Sequence, residues 1–158
     1  MNRSAWKHWA VYIGAAEAVG ALAGLLIRPG VEYYTQNVQK PALSPPPTVF
    51  PIVWAVLYAL MGVGAARVSQ TEPPWKRTRA LRLWWVQLAF NFCWSVLFFL
   101  TGSYGLAFLW LVVLWVLILS MTLAFREADR LAAWLQVPYV LWVLFAGYLN
   151  FGVWMLNR

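Results

Sequence analysis

The longest uncharged segment of the chain sets the strongest constraint on its fold. It runs for 43 residues, from Leu83 to Phe125, and is almost entirely aliphatic and aromatic. As one helix it would be about 64 Å long, roughly twice the thickness of the hydrocarbon core of a bilayer. The run therefore predicts two membrane-spanning helices. They fold back on each other at the only turn-forming sequence within it, Thr101 to Gly105.

Composition supports a membrane environment for the rest of the chain. Only 11% of the 158 residues are charged and 63% are hydrophobic, with a mean hydropathy of +0.64, whereas soluble domains carry about 25% charged residues. The net charge of +7 lies in short clusters between apolar runs, a pattern typical of membrane topology and not of nucleic-acid binding. Cys93 and His8 are the only residues of their types, so we predict no disulfide and no metal site.

The apolar runs together predict an all-α membrane protein, a bundle of five transmembrane helices forming one domain over residues 1–158. No cleavable signal is expected, because the first apolar run continues to Ile27. Nine basic residues lie on the side of the N-terminus and three on the other side. In an inner membrane this predicts a cytoplasmic N-terminus and an outside C-terminus. The predicted spans are residues 5–27, 49–69, 81–100, 105–125 and 131–154.

A proline-rich connection joins the first two spans. Residues 28–48 are predicted to form a loop, and because such a loop is long for a structureless connection, we expect it to be a lid or binding segment. Within KPALSPPPTVFPIVWAVLY, the prolines at 41–47 exclude an ordinary helix. The helix that follows places Trp54 and Tyr58 one turn apart on one face. We interpret this stretch as a lid leading into a helix whose aromatic face lines a pocket.

Polar residues recur along one face of the third span. Gln87, Asn91, Trp94 and Ser95 share a face by their helical spacing. Polar side chains at membrane depth point toward protein or a cavity. Two interpretations stay open, a polar wall of a ligand pocket and hydrogen bonds that join neighbouring helices.

Three tryptophans lie away from both predicted membrane interfaces. Trp54, Trp94 and Trp142 occupy the second, third and last spans, and Ala146 follows Trp142 by one turn. Core packing is one explanation, and a pocket for a flat aromatic ligand is the other. Glu17 is the one acid deep in a span, so it is a functional candidate or a neutral acid hydrogen-bonded to a neighbour.

Four segments, in order, give the chain a family resemblance. They are KPxxxPP from Lys40, VFPIVWAVLY from Val49, QLAFNFCWSVLFF from Gln87 and VPYVLWVLFAGYLNF from Val137. In these segments the chain resembles the TspO family of tryptophan-rich sensory proteins. Its mitochondrial relatives are called translocator protein or peripheral benzodiazepine receptor.

The resemblance implies a five-helix bundle, often a homodimer, that binds porphyrins such as protoporphyrin IX as ligands and not as resident cofactors. It also implies binding of isoquinoline carboxamide and benzodiazepine-type compounds. Light-dependent porphyrin degradation in bacterial members would involve Trp54 and Trp142, which are the only catalytic candidates. The implied ligand-binding residues are Tyr34, Pro46, Trp54, Tyr58, Asn91, Trp94, Ser95, Trp142 and Ala146.

The chain departs from the family pattern at three places. Tyr33 and Leu43 stand where tryptophan is usual, so the lid lacks two indoles. Phe151 and Met155 stand where the animal sterol-recognition pattern has a tyrosine and a basic residue. That pattern is weak even when intact, and we do not predict sterol binding.

Three functions follow from these features. The first is a membrane receptor or sensor for tetrapyrroles, linked to tetrapyrrole metabolism. The second is a transporter of such compounds, although no inverted repeat of the kind found in many transporters is visible. The third is photochemical breakdown of porphyrin. Catalysis by familiar routes finds no support, because the sequence shows no catalytic triad, paired carboxylates or phosphate-binding loop.

Overall fold

The computed structural model describes residues 3–158, with side chains from residue 6 onward, and its regular structure is entirely helical over that range. The predicted all-α class is therefore confirmed. The last helical residues of α4 continue into a π-helical segment, Val96–Leu100. The helices are α1 Arg3–Leu26, α2 Arg28–Asn37, α3 Val49–Val68, α4 Pro74–Ser95, α5 Tyr104–Ala128, α6 Arg130–Trp134 and α7 Val137–Leu156.

Five segments of the described chain are long and apolar enough to cross a bilayer, which confirms the predicted five-helix membrane bundle. Large apolar side chains are exposed along their outer faces, including Leu22, Leu109 and Leu141. Such faces suit lipid, and a helix satisfies its own backbone hydrogen bonds there. The segments are Trp6–Leu26, Val49–Val68, Pro74–Leu100, Tyr104–Ala128 and Arg130–Leu156.

Two helix boundaries differ from the sequence prediction. The third span was expected from residue 81, but α4 begins at Pro74, where a proline in the first turn costs no hydrogen bond. Its basic first turns therefore extend beyond the apolar segment. The last span is divided into α6 and α7 at Leu135 and Gln136, and Pro138 lies in the first turn of α7.

The first half of the connection 28–48 is helical, so the prediction of an irregular segment is wrong there. Pro29 occupies the first turn of α2, a position that suits proline. Gly30 is buried against the backbone carbonyl of Phe99, and a side chain at residue 30 would collide with it. Close packing of α2 on the end of α4 therefore requires this glycine.

Helix α1 packs mainly on α3, and it approaches α3 most closely at Gly62. A Cβ atom at residue 62 would lie 2.5 Å from the Cα atom of Ile13 and 2.9 Å from the backbone oxygen of Tyr12. The two backbones are thus nearly in contact. Small residues at helix interfaces allow this approach in membrane proteins.

The end of the bundle that holds the α3–α4 connection is fixed by ion pairs. Arg67 contacts Asp129 at 2.7 Å, and Arg79 contacts Glu127 at 3.3 Å. The Asp129 carboxylate also accepts hydrogen bonds from the first N–H groups of α6. Burial alone raises the pKa of Asp129, but the hydrogen bonds from Ala132 and Arg67 outweigh it, and the pKa lies below its usual value.

Candidate functional site

A large cavity occupies the end of the bundle that holds the proline-rich connection. Its volume is about 1390 Å³, and helices α1, α2, α3, α4 and α7 enclose it together with residues 40–47. The prolines of the connection contribute Pro45, Pro46 and Pro47 to its wall. They stand where the sequence predicted a lid, and they pack beside the aromatic start of α3.

The cavity brings together eight of the nine residues that the family resemblance implied. They come from the connection and from three membrane-spanning helices, so separate parts of the chain converge on one site. The eight are Tyr34, Pro46, Trp54, Tyr58, Trp94, Ser95, Trp142 and Ala146.

Asn91 is the exception, and it lies behind the cavity wall and not on it. It is 1% exposed, and its side-chain oxygen accepts a hydrogen bond from the Tyr58 hydroxyl at 3.0 Å. Its amide donates to the Tyr139 hydroxyl at 2.8 Å, which in turn donates to Gln87 at 2.7 Å. Of the two interpretations of this polar stripe, Asn91 and Gln87 fit the one that joins helices.

The α4 side of the cavity has its polar groups engaged within the protein. The indole N–H of Trp94 donates to the side-chain oxygen of Asn150 at 3.1 Å, and the Ser95 hydroxyl donates to the backbone oxygen of Asn91 at 3.3 Å. The Tyr58 hydroxyl is engaged as well. This wall therefore offers a ligand aromatic and apolar surface.

Trp54 of α3 and Trp142 of α7 also line the cavity, and their polar groups are not engaged in the same way. The ring of Trp54 lies 5.6 Å from that of Tyr58, and the ring of Trp142 lies 6.0 Å from that of Phe50. Both side chains are half-buried. Within residues 6–158, neither indole N–H has a hydrogen-bond partner. Two ring faces and two free donors are thus available to a bound molecule.

Phe98 and Phe99 also line the cavity, and the sequence reasoning missed them. They lie in the π-helical segment at the end of α4. Both rings approach Tyr34 at 5.5 Å between centroids. A π-helical turn contains an extra residue and changes the direction of the side chains that follow. Phe98 and Phe99 nevertheless follow Trp94 and Ser95 by four residues each, so the helical spacing that grouped the latter two would have found them if it had been continued to the end of the span.

Charged residues collect at the end of the cavity nearest the connection. Arg28, Glu32 and Lys40 line it there and are exposed, whereas Glu17 lies deeper and is half-buried. The Lys40 ammonium donates to the backbone oxygen of Thr35 at 3.0 Å and lies 5.1 Å from the centre of the Tyr34 ring. The sequence identified Glu17 as a candidate but not its position in the cavity wall.

Tyr34 closes this end as a neutral phenol. Burial, with a smaller contribution from Tyr104, raises its pKa to about 12. The side chain is thus protonated at neutral pH and presents an uncharged ring. It packs between the aromatic end of α4 and Lys40.

The connection is attached to the end of α7 by a small set of contacts. The Asn157 side chain forms two hydrogen bonds with the backbone of Gln39, at 3.0 and 2.9 Å. The Tyr148 hydroxyl donates to the backbone oxygen of Ala42 at 2.9 Å. Pro41 packs against Gly152, where a side chain would collide with the proline ring. These contacts hold the lid over the cavity.

The cavity contains no set of residues suited to metal binding or to nucleophilic catalysis. Within the part of the chain whose side chains are described, no three His, Cys, Asp or Glu residues lie close enough to hold a metal ion. The only cysteine, Cys93, is exposed on the outer face of α4. The size of the cavity and its aromatic lining favour binding of a large apolar ligand.

Comparison with known proteins identifies relatives along most of the chain. The TspO/MBR family profile matches residues 12–155. The chain is 40% identical over 152 residues to protein CrtK of Rhodobacter capsulatus, a match that covers 94% of this chain and 92% of the relative. It is 38% identical to the tryptophan-rich sensory protein of Cereibacter sphaeroides, a match that covers 94% of this chain and 92% of the relative. It is 35% identical to the human translocator protein, and that match covers 82% of this chain and 77% of the relative.

Proposed function

Since the chain belongs to the TspO/MBR family of membrane proteins, we propose that it is a receptor or sensor whose cavity binds a tetrapyrrole such as protoporphyrin IX. The observation that carries this proposal is the cavity itself. Its volume of about 1390 Å³ exceeds the roughly 300–1,000 Å³ of most small-molecule sites. Aromatic side chains from α2, α3, α4 and α7 line it, which suits a large flat ring system.

The charges at the cavity end support the same ligand class. A porphyrin such as protoporphyrin IX has an apolar ring and two carboxylates on one edge. Arg28 and Lys40 outnumber the one acid, Glu32, at the end of the cavity next to the connection, where an amphipathic ligand would leave its carboxylates near water. The rest of the wall accommodates the ring. Arginine can bind a carboxylate through two parallel hydrogen bonds, so it discriminates charged from neutral edges.

A second candidate activity, light-dependent breakdown of the bound porphyrin, rests on Trp54 and Trp142. Both line the cavity, and both have an indole N–H without a partner among the described residues. An excited porphyrin can take an electron from a nearby indole. On this proposal, illumination under oxygen converts protoporphyrin IX to a product with a changed visible spectrum. Loss of porphyrin at the same rate with heat-denatured protein would contradict it.

Binding is tested by titrating the purified protein with protoporphyrin IX and following the shift of the porphyrin absorbance band. Loss of one stacked ring is worth about 0.5–1.5 kcal/mol, or about two- to ten-fold in affinity. We expect Trp54→Leu and Trp142→Leu each to weaken binding by that factor. Trp75→Leu is the control, because Trp75 is 61% exposed and does not line the cavity. Equal affinities in all three variants would contradict the assignment of the site.

The role of the charged end is tested separately with an ester. Wild-type protein should bind protoporphyrin IX more tightly than its dimethyl ester, which lacks the two negative charges. Arg28→Gln should reduce that preference while leaving ester binding unchanged. If the variant still prefers protoporphyrin IX over the ester as strongly as the wild type does, Arg28 does not bind the carboxylates.

Two further features are part of the proposal. We expect a homodimer, measured by light scattering with correction for detergent. We also expect a cytoplasmic N-terminus, as the distribution of basic residues predicts. Labelling of Cys substituted for Ser44 in the connection and for Thr78 in α4 reports the orientation, because only the former should react with an impermeant reagent added from outside. The reverse pattern would contradict the orientation.

A further inference from the structure

A second recess lies at the opposite end of the bundle from the cavity. It has a volume of about 460 Å³ and lies where the end of α5 meets α6 and the start of α7. Arg126 and Arg130 line it together with Leu123, Trp134 and Val137. Leu123 is 59% exposed and Trp134 is 71% exposed. The recess therefore opens on the outer surface of the bundle.

The acids next to these arginines do not neutralise them. Glu127 and Asp129 lie between Arg126 and Arg130 in sequence, but their carboxylates pair with arginines of other helices. Over residues 6–158, Arg126 and Arg130 form no ion pair. The recess consequently holds two guanidinium groups that no carboxylate balances.

The apolar part of the recess places it at the membrane surface. Trp134 is a large exposed aromatic side chain at the end of a spanning segment, a position that tryptophan favours at the boundary between lipid and water. Leu123 and Val137 lie on the adjoining turns of the spanning helices. The wall of the recess is thus mainly apolar, and two arginine side chains contribute to it. An apolar wall beside two cations matches the two parts of a phospholipid.

We propose that this recess binds the headgroup of an anionic phospholipid, with its phosphate between Arg126 and Arg130 and its acyl chains against Leu123 and Trp134. Basic recesses at the ends of transmembrane helices are a recognised means of binding such headgroups. The same end of the bundle carries Arg82 and the other basic residues of the α3–α4 region, so its whole surface attracts anionic lipid. The recess combines that charge with an apolar wall.

The site is tested by native mass spectrometry of detergent-purified protein mixed with phosphatidylglycerol or phosphatidylcholine. Wild-type protein should retain phosphatidylglycerol in preference to phosphatidylcholine. A basic residue near a membrane surface strengthens binding of anionic lipid about five-fold. Arg126→Gln combined with Arg130→Gln should thus lower phosphatidylglycerol occupancy about 25-fold and leave phosphatidylcholine unchanged.

Arg82→Gln is the matched control. Arg82 is exposed at the same end of the bundle and does not line the recess. It should change occupancy less than either recess substitution alone. Equal losses in the control and the double variant would show unspecific attraction and overturn the proposal, as would unchanged occupancy in the double variant.

A soluble competitor separates a lipid site from a general phosphate site. Glycerol 3-phosphate at a large excess should displace little phosphatidylglycerol, because it lacks the chains that contact Leu123 and Trp134. Full displacement would show that the recess binds free phosphate esters, and the lipid proposal would be wrong. Unfolding temperatures of all variants are measured in parallel, and the substituted side chains are exposed, so folding is expected to persist.

Discussion

Substitution of Gly62 by alanine should loosen α1 from the bundle. The added Cβ would lie 2.5 Å from the Cα atom of Ile13, and ordinary contact begins at about 3.4 Å, so α1 must move by roughly 1 Å. Overpacking costs typically about 1–3 kcal/mol, and the colliding atoms are backbone atoms that cannot rotate away. Alanine recovers about 1 kcal/mol of helix propensity. Because the colliding backbone atoms leave no room for adjustment, we take the upper end of that range, about 3 kcal/mol, which leaves a net loss of about 2 kcal/mol.

Thermal unfolding of the detergent-purified protein measures this loss. For a chain of this size, 2 kcal/mol lowers the unfolding temperature by about 4–8 °C. Gly14→Ala is the control, because Gly14 follows Ile13 directly on α1 and a Cβ there meets nothing within 4 Å. The control should unfold at the wild-type temperature or slightly above it.

The same substitution should affect ligand binding. Helix α1 supplies Glu17, Gly20 and Gly24 to the cavity wall, so a displaced α1 changes the shape of the site. We expect Gly62→Ala to weaken porphyrin binding and Gly14→Ala to leave it unchanged. Wild-type stability in Gly62→Ala, or an equal loss in both variants, would refute the account of a tight α1–α3 contact.

Three other predictions follow from the hydrogen bonds and ion pairs. Asn91→Leu removes the hydrogen-bond partner of the buried Tyr58 hydroxyl and should destabilise the fold by about 1–3 kcal/mol. Thermal unfolding measures this loss, and an unchanged unfolding temperature would contradict the prediction. The pKa of Asp129 is lowered in the fold, so its stabilisation is present above about pH 4 and lost as the pH falls below that value. The free energy of unfolding of Asp129→Asn should therefore depend less on pH below about pH 4, and a wild-type dependence would rule the carboxylate out. Asn157→Ala removes both hydrogen bonds to the backbone of Gln39 and should increase the rate of porphyrin release in stopped-flow measurements. An unchanged release rate would show that this attachment does not hold the lid.

The membrane-spanning helices were predictable because the requirement that produces them is simple. Lipid tolerates few charges and no unpaired backbone groups, so the uncharged run from Leu83 to Phe125 had to form two helices. The turn at Gly102 follows from its positive φ of 62°, which glycine adopts readily. Helix boundaries outside the bilayer were harder to predict from the sequence. Charged residues and unpaired backbone groups are tolerated in water, so this requirement does not apply to α2 or to the first turns of α4.

The cavity was predictable in part. Helical spacing placed Trp94 and Asn91 on one side of α4, but spacing does not give the distance of each residue from the helix it faces. Asn91 lies against the hydroxyls of Tyr58 and Tyr139, whereas Trp94, one turn on, reaches the cavity. The unpaired charge of the recess at Arg126 depends on which arginines form ion pairs with Glu127 and Asp129. Those arginines come from other helices, and the sequence does not show which acidic and basic side chains pair.

The engaged polar groups that α3 and α4 contribute to one wall of the cavity bear on how selective the cavity is. The hydroxyl of Tyr58, the indole of Trp94 and the hydroxyl of Ser95 all donate within the protein. A ligand that adds or loses a hydrogen-bond acceptor on this side neither gains a free donor nor leaves one unpaired, so the protein should discriminate weakly between such compounds. Ligands of similar outline but different chemistry should therefore compete for this wall. We expect the protein to discriminate among them mainly at the end of the cavity near the connection, which Arg28 and Lys40 line.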